Sequence, residues 1–424
     1  MIRRVDWSGL LVAVVIAVPS GALRAQAAAD SAAPDMCASC HASLPMERLA
    51  GPVTLFADDI HAHQGFGCVD CHGGDPTAPG FASMDPRRGF VGRPVGRQVL
   101  QVCGRCHSDA GFMRQYNPGL RVDQVVEYSS SVHGQRLMGQ GDTAVATCVS
   151  CHPAHQIRPP SDSRSSVAPE NVATTCGACH ADTVRMQPYG IPTNQLERYQ
   201  ESAHWEALSA LGDRSAPTCN DCHGNHGAAP PGVGWVGNVC GQCHSVMADY
   251  FATSRHAQVF TAMGIPGCAA CHGNHAIART NDTLLGVGDG AVCVRCHVAG
   301  AGGGLVAASM RQAIDSLHAS FMLADSLLQT AEQAGMEVSQ PQFDLENAQT
   351  ALLQARTAVH TFVHDSVQRH VDEGLEVTAS AITRGHGALD DLRFRRVGLG
   401  VSTGVIVLLI GSLVLRIWQL ERAS

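Results

Sequence analysis

Eighteen cysteines carry the first chemical signal in this 424-residue chain, and every one lies in a Cys-x-x-Cys-His motif. The pairs are Cys37 and Cys40, Cys68 and Cys71, Cys103 and Cys106, Cys148 and Cys151, Cys176 and Cys179, Cys219 and Cys222, Cys240 and Cys243, Cys268 and Cys271, and Cys293 and Cys296. Two thiols followed at once by an imidazole read as a c-type haem attachment site. The thiols form thioethers to the haem vinyl groups, and the His reaches the iron from the same turn of chain. Zinc knuckles spend four ligands per ion and give the His after each pair no fixed role. A disulfide framework, open to a secreted chain, leaves that His idle as well. Nine motifs that use up every cysteine therefore predict nine covalently attached haems c.

A haem iron takes a proximal ligand and can take a second from elsewhere in the chain. The motif histidines are the proximal set: His41, His72, His107, His152, His180, His223, His244, His272 and His297. Thirteen of the 22 histidines remain. Repeats single out eight of these as distal candidates. An aromatic-x-x-Ser-x-His segment ends at His133, His204 and His256, an Asp variant ends at His61, and a copy without the aromatic ends at His318. A second His follows three residues after the motif His at His155, His226 and His275. For the ninth distal ligand His63, His360 and His364 compete, with His370 and His386 behind them; His360 and His364 are four residues apart and share a helix face. Iron with two histidines is coordinatively saturated, which points to electron transfer without a free position for substrate. Losing a Met ligand also means moderately low potentials.

The elements that must position these groups follow from the same repeats. The recurring unit is Ser-x-His, then Cys-x-x-Cys-His-x-x-His, then a plain Cys-x-x-Cys-His, and internal repeats of this kind imply duplicated structural units. Three full copies run over 128–180, 199–244 and 250–297, with a partial copy at 56–107 that has Asp75 in place of the extra His. The motif at Cys37 precedes them all. From Cys37 to His297 there are 261 residues, about 29 per motif. So little chain per cofactor cannot bury an ordinary core, so the haem faces must supply buried surface. With Gly (44) and Pro (20) abundant and no strand periodicity, the expected fold is mainly α with extensive loops.

After His297 the composition changes. Gly300 to Gly304 reads as a flexible joint. Met310, Ile314, Leu317, Phe321, Ala324, Leu328 and Ala331, and then Leu345, Ala348, Leu352, Ala355, Val359 and Phe362, keep helical spacing. Gly335 and Pro341 between them predict an antiparallel helical hairpin over 305–392, its second helix running on toward a membrane span. Val397 to Leu415 is charge-free and long enough to cross a bilayer, so 397–417 is a transmembrane helix and 418–424 a short cytoplasmic tail. At the other end, Arg3 and Arg4, the apolar Leu10 to Val18 and Ala25-Gln26-Ala27 make 1–27 a signal peptide. Residues 28–299 form the nine-haem domain. The formal charge of −8 argues against a nucleic-acid partner.

The Cys-x-x-Cys-His-Gly-Asn-His sites at 219–226 and 268–275, each preceded by Ser-x-His, resemble bacterial periplasmic multihaem cytochromes c. That broad group includes tetrahaem and decahaem electron carriers and the nitrite reductase and hydroxylamine oxidoreductase lineage. The resemblance covers roughly 37 to 370, and the helical stretch after the last motif looks like the helices that close the latter enzymes. It implies a haem-stacking domain with alternating parallel and perpendicular pairs. The expected function is electron transfer between a quinone-linked membrane protein and a periplasmic or outer-membrane redox partner. The site is the periplasmic face of the inner membrane, held by the C-terminal helix. The alternative is an oxidoreductase acting on a small nitrogen or sulfur compound at one open haem. In the nitrite reductases Lys often replaces the motif His at the catalytic haem, and no motif here has that change.

Overall fold

Polar caps, rather than long apolar faces, start the helices that carry the distal histidines. Asp59, Ser131, Ser202 and Ser254 each precede a helix and accept a hydrogen bond from the backbone of its first turn. All four are buried, at 5 % exposure or less. A capping oxygen satisfies a helix N–H that would otherwise be orphaned. The aromatic that opens the segment has its own task. Tyr128 donates its hydroxyl proton to the Ala146 carbonyl and Tyr199 to that of Pro217, each two residues before a motif cysteine. The recurring segment is thus a fastener between the distal His and the next motif.

The computed structural model describes residues 35–230 and 236–423, so the signal-peptide reading of 1–27 and residue Ser424 of the tail fall outside the described residues. The described residues are mainly helical and contain no strand. They divide into two units, and the division falls within the stretch 28–299. The first takes the chain up to Cys176 together with Asn225–Ala228, and the second takes Gly177–Gly224 and the chain from Ala229 onward. In the first unit the buried apolar cluster is small, made of Leu100, Tyr128 and Leu137.

The second unit holds the large apolar core, in three helices: α1 (Gly302–Gln333), α2 (Ser339–Ala358) and α3 (His364–Ala423). The expected hairpin is therefore corrected to a three-helix arrangement. The chain breaks after α2 because Val359–Thr361 tightens into a 3-10 turn and Phe362 adopts a left-handed φ of 54°. A left-handed residue other than glycine costs about 1–2 kcal/mol, offset here by packing of the Phe362 ring on His256 at 3.8 Å between centroids. Leu317, Leu328, Val367 and Val371 are fully buried in the seams. Gly374 of α3 lies so close to Leu317 that a Cβ would come within 2.7 Å of it.

Gly300 to Gly304 is also not a free joint. Gly303 and Gly304 are inside α1, where a Cβ would meet the His297 ring at 2.5 Å and the Val298 carbonyl at 2.2 Å. The glycines seat the helix directly on the last motif. Asp282 strengthens that attachment, since its carboxylate accepts from Arg356 Nε and Nη2 at 2.8 and 2.7 Å. Such a paired, two-point contact fixes geometry as well as charge.

At 60 residues α3 is about 90 Å long. Its first part packs in the core, and its apolar end is long enough to cross a membrane, with none of that stretch buried in the protein. It is a candidate membrane anchor. Leu317→Ala should destabilise the unfolding unit by about 2–5 kcal/mol. Leu323→Ala, 52 % exposed on the same helix, should change it by less than about 0.5 kcal/mol. Thermal unfolding followed by circular dichroism distinguishes the two; equal effects would contradict the packing described.

Candidate haem-ligand site

The motif histidines do not stand alone. Seven face a second imidazole from another part of the chain, with ring centres 5.8 to 6.3 Å apart. His72 pairs with His155, His152 with His226, His223 with His275 and His272 with His360. These four pairs are close to parallel, with interplanar angles from 12° to 23°. The other three, His107 with His61, His244 with His204 and His297 with His256, are turned by 90°, 34° and 70°. The first motif of each repeat takes the near-parallel kind, and His107, His244 and His297, each from the second motif of a repeat, take the twisted kind.

The spacing bears on what could sit between the rings. A metal held about 2 Å from each nitrogen, the usual metal–imidazole distance, puts the two ring centres about 6 Å apart. Direct contact between stacked rings would bring them nearer. Among the described residues no three His, Cys, Asp or Glu converge as a zinc site requires; the arrangement is one of opposed pairs. All eighteen thiols are free of disulfides.

The second ring nitrogen is accounted for in several of these histidines. His72 Nδ1 lies 2.7 Å from the Gly92 carbonyl, His223 Nδ1 3.2 Å from that of Ala229 and His360 Nδ1 3.0 Å from that of Thr357. His61 Nδ1 meets the Asp59 carboxylate at 2.9 Å. An acceptor oxygen requires the proton on Nδ1, which leaves the Nε2 lone pair for a metal, as outer partners of metal-binding histidines commonly arrange. Asp59 also accepts from the backbone of His61 and of Ile157, so one buried carboxylate caps, orients and tethers. His256 Nδ1 is buried without a hydrogen-bond partner. Burial, above all, depresses the pKa of His107, His152, His155, His180, His204, His256, His272 and His275. Depressed values keep imidazole neutral, the form that binds metal.

Neighbouring motifs lie close together in sequence order within each unit. In the first, the thiol of Cys68 lies near Cys37, Cys71 near Cys106, and Cys103 near Cys148. In the second, His180 is near His223, Cys222 near Cys243, Cys240 near Cys268, and Cys271 near Cys293. Equivalent arginines lock two of the contacts, Arg105 donating to the Asp70 carbonyl and Arg295 to that of Ala270.

Three expected positions turn out differently. His318 is exposed on α1 and faces no motif histidine, because Ser316 sits inside a continuous helix and bonds the Ala313 carbonyl instead of capping a new one. His364 pairs weakly with Asp365 and His63 is exposed. Of the three contenders for the ninth position it is His360 that meets a motif histidine. His133 keeps the capped register of His61, His204 and His256. His41 faces no imidazole among the described residues. Asp59 as the ring-orienting partner was not foreseen; its place in the Ser-x-His register was the available signal.

No family model, no curated protein and no solved structure matches this chain. The site's reading therefore rests on its residues. His360→Ala should turn one low-spin haem high-spin, while His318→Ala should leave the spectrum unchanged. Electron paramagnetic resonance of the oxidised full-length protein decides this, and a reversed outcome would reassign the ligand.

Proposed function

We propose that this chain is a membrane-anchored c-type cytochrome carrying nine covalent haems. It would move electrons between a quinone-linked membrane partner and a periplasmic or outer-membrane redox protein. The observation that carries the reading is the set of imidazole pairs, spaced for one metal between the rings, at seven of the nine Cys-x-x-Cys-His motifs. Bound there, the haems would supply reversible one-electron chemistry. The chain's own residues do the rest. The cysteines would hold each group covalently, and the paired histidines would ligate its iron and so exclude substrate. The closeness of successive motifs within each unit supports a relay in sequence order.

The apolar end of α3 crosses the inner membrane in this reading, with the motif region on the periplasmic side. Trp418, its ring 3.6 Å from the Arg422 guanidinium carbon, suits the far interface. A single span without motifs carries no electrons across the bilayer, so a partner in the membrane must hand them over.

A second reading, an oxidoreductase acting on a small nitrogen or sulfur compound, is favoured by one observation: His41 faces no imidazole. Against the lysine-ligated kind, the chain contains no lysine at all.

Intact-protein mass after export with c-type maturation should show nine haems per chain, and a mass without covalent haem would overturn the proposal. The oxidised protein should also give two families of low-spin signal. The angle between axial imidazole planes sets the splitting of the iron d orbitals, so near-parallel and twisted pairs differ. A single family would contradict the pair geometry.

A further inference from the structure

The rule that supplies distal histidines to the other motifs fails at the first one. In three repeats the His three residues after a motif crosses back to the leading motif of the repeat before it: His155 to His72, His226 to His152 and His275 to His223. No repeat follows the last, and His360 from the helical segment takes the role for His272. Each crossing loop is tied down by one backbone bond. The carbonyls of Ile157, Ala228 and Ile277 accept from the N–H groups of Ile60, Val132 and Ala203.

The loop after His72 has the same build. Gly73 has φ 68°, beside 82° at Gly224 and 76° at Gly273, all left-handed values that favour glycine. It too crosses back, to the leading motif, where the Pro76 carbonyl accepts from the Met36 N–H at 3.1 Å. The thiols of that motif and the next are neighbours, with the Asp35 carboxylate close to Cys68. Yet the residue at the register position of the histidine is Asp75. Its carboxylate accepts from the Thr77 backbone and hydroxyl at 2.9 and 2.6 Å and pairs with Arg88. All 22 histidines of the chain lie within the described residues, so no unseen imidazole remains to be assigned.

We propose that the haem held by Cys37, Cys40 and His41 takes no histidine on its far side and binds a small uncharged ligand there, of the carbon monoxide type. The proposal rests on the nine-haem reading. The position stands at one end of the run of motifs in the first unit, where its one motif neighbour is that of Cys68. Asp35 caps the helix of this motif and Asp75 lies on the loop that meets it. The Asp35 carboxylate at this end disfavours an anion, so cyanide should bind less well than a neutral molecule.

The test uses the full-length protein in detergent, with its nine haems first verified by mass. Carbon monoxide added after reduction should bind at one equivalent per chain, and the oxidised protein should show one high-spin haem in nine. Asp75→His should convert that haem to low spin and weaken carbon monoxide binding at least tenfold, with the haem count unchanged. Asp75→Ala should keep the binding. Nine haems without carbon monoxide binding, a methionine-ligated signature from Met46 or a neighbour, or an Asp75→His protein that stays high-spin would overturn the proposal. If Asp75→His fails to mature, the wild-type stoichiometry still decides. A chain that carries no covalent haem overturns the parent reading instead, and this proposal with it.

Discussion

Much of the motif region is arranged around one constraint: an imidazole beside two cysteines faces a second imidazole with ring centres about 6 Å apart, a spacing wide enough for a metal. That constraint accounts for features that ordinary packing does not. The first unit has a buried apolar cluster of only three residues, far short of what its length would need for a core of side chains alone. In its place stand buried capping hydroxyls, carbonyls that hold Nδ1 protons, and loops turned by left-handed glycines. The proposed haems would occupy the space between the ring pairs and supply the apolar surface that the sequence omits. Neutral histidines suit this arrangement, because burial disfavours their charged form.

The crossing loops make each repeat incomplete by itself. A motif gains its second histidine from the repeat that follows, so the repeats interlock as they are laid down. The last repeat in the series meets the helical segment, which ends the pattern by offering His360 from the turn between α2 and α3. That turn carries the left-handed Phe362, stacked on His256. The helices are therefore more than a stalk, since they complete one ligand pair and brace another. α3 then continues without a break into its apolar end, which couples the position of the last motifs rigidly to the candidate anchor.

Relay and ligand binding need not compete in such a chain. Filled axial positions along the run favour rapid transfer with little rearrangement, and an open position at one end would let a small molecule sense or tap the electrons delivered there. Under this proposal Asp75 would decide between these uses at the first motif, since one side chain separates its loop from those that carry a histidine.

The Cys-x-x-Cys-His motifs were legible in the sequence alone, because such a motif is local and its residues need no distant partner to be recognised. The repeat register likewise exposed seven of the distal candidates whose helices or loops the structure shows in matching forms, and the charge-free run of 397–415 marked the long apolar helix. Tertiary structure decided what spacing cannot. Ser316-Leu317-His318 matches the repeat by letter, but it lies within 32 continuous helical residues, so its serine has no helix start to cap and its histidine stays outside. His360 matches no repeat and meets a motif histidine because a chain break between α2 and α3 turns it inward. The third helix was hidden for a similar reason: the apolar periodicity runs through 359–363 with hardly a gap, and only the left-handed turn at Phe362 separates one helix from the next. Local chemistry is written in short patterns, whereas the partner of each imidazole depends on where distant segments come to rest.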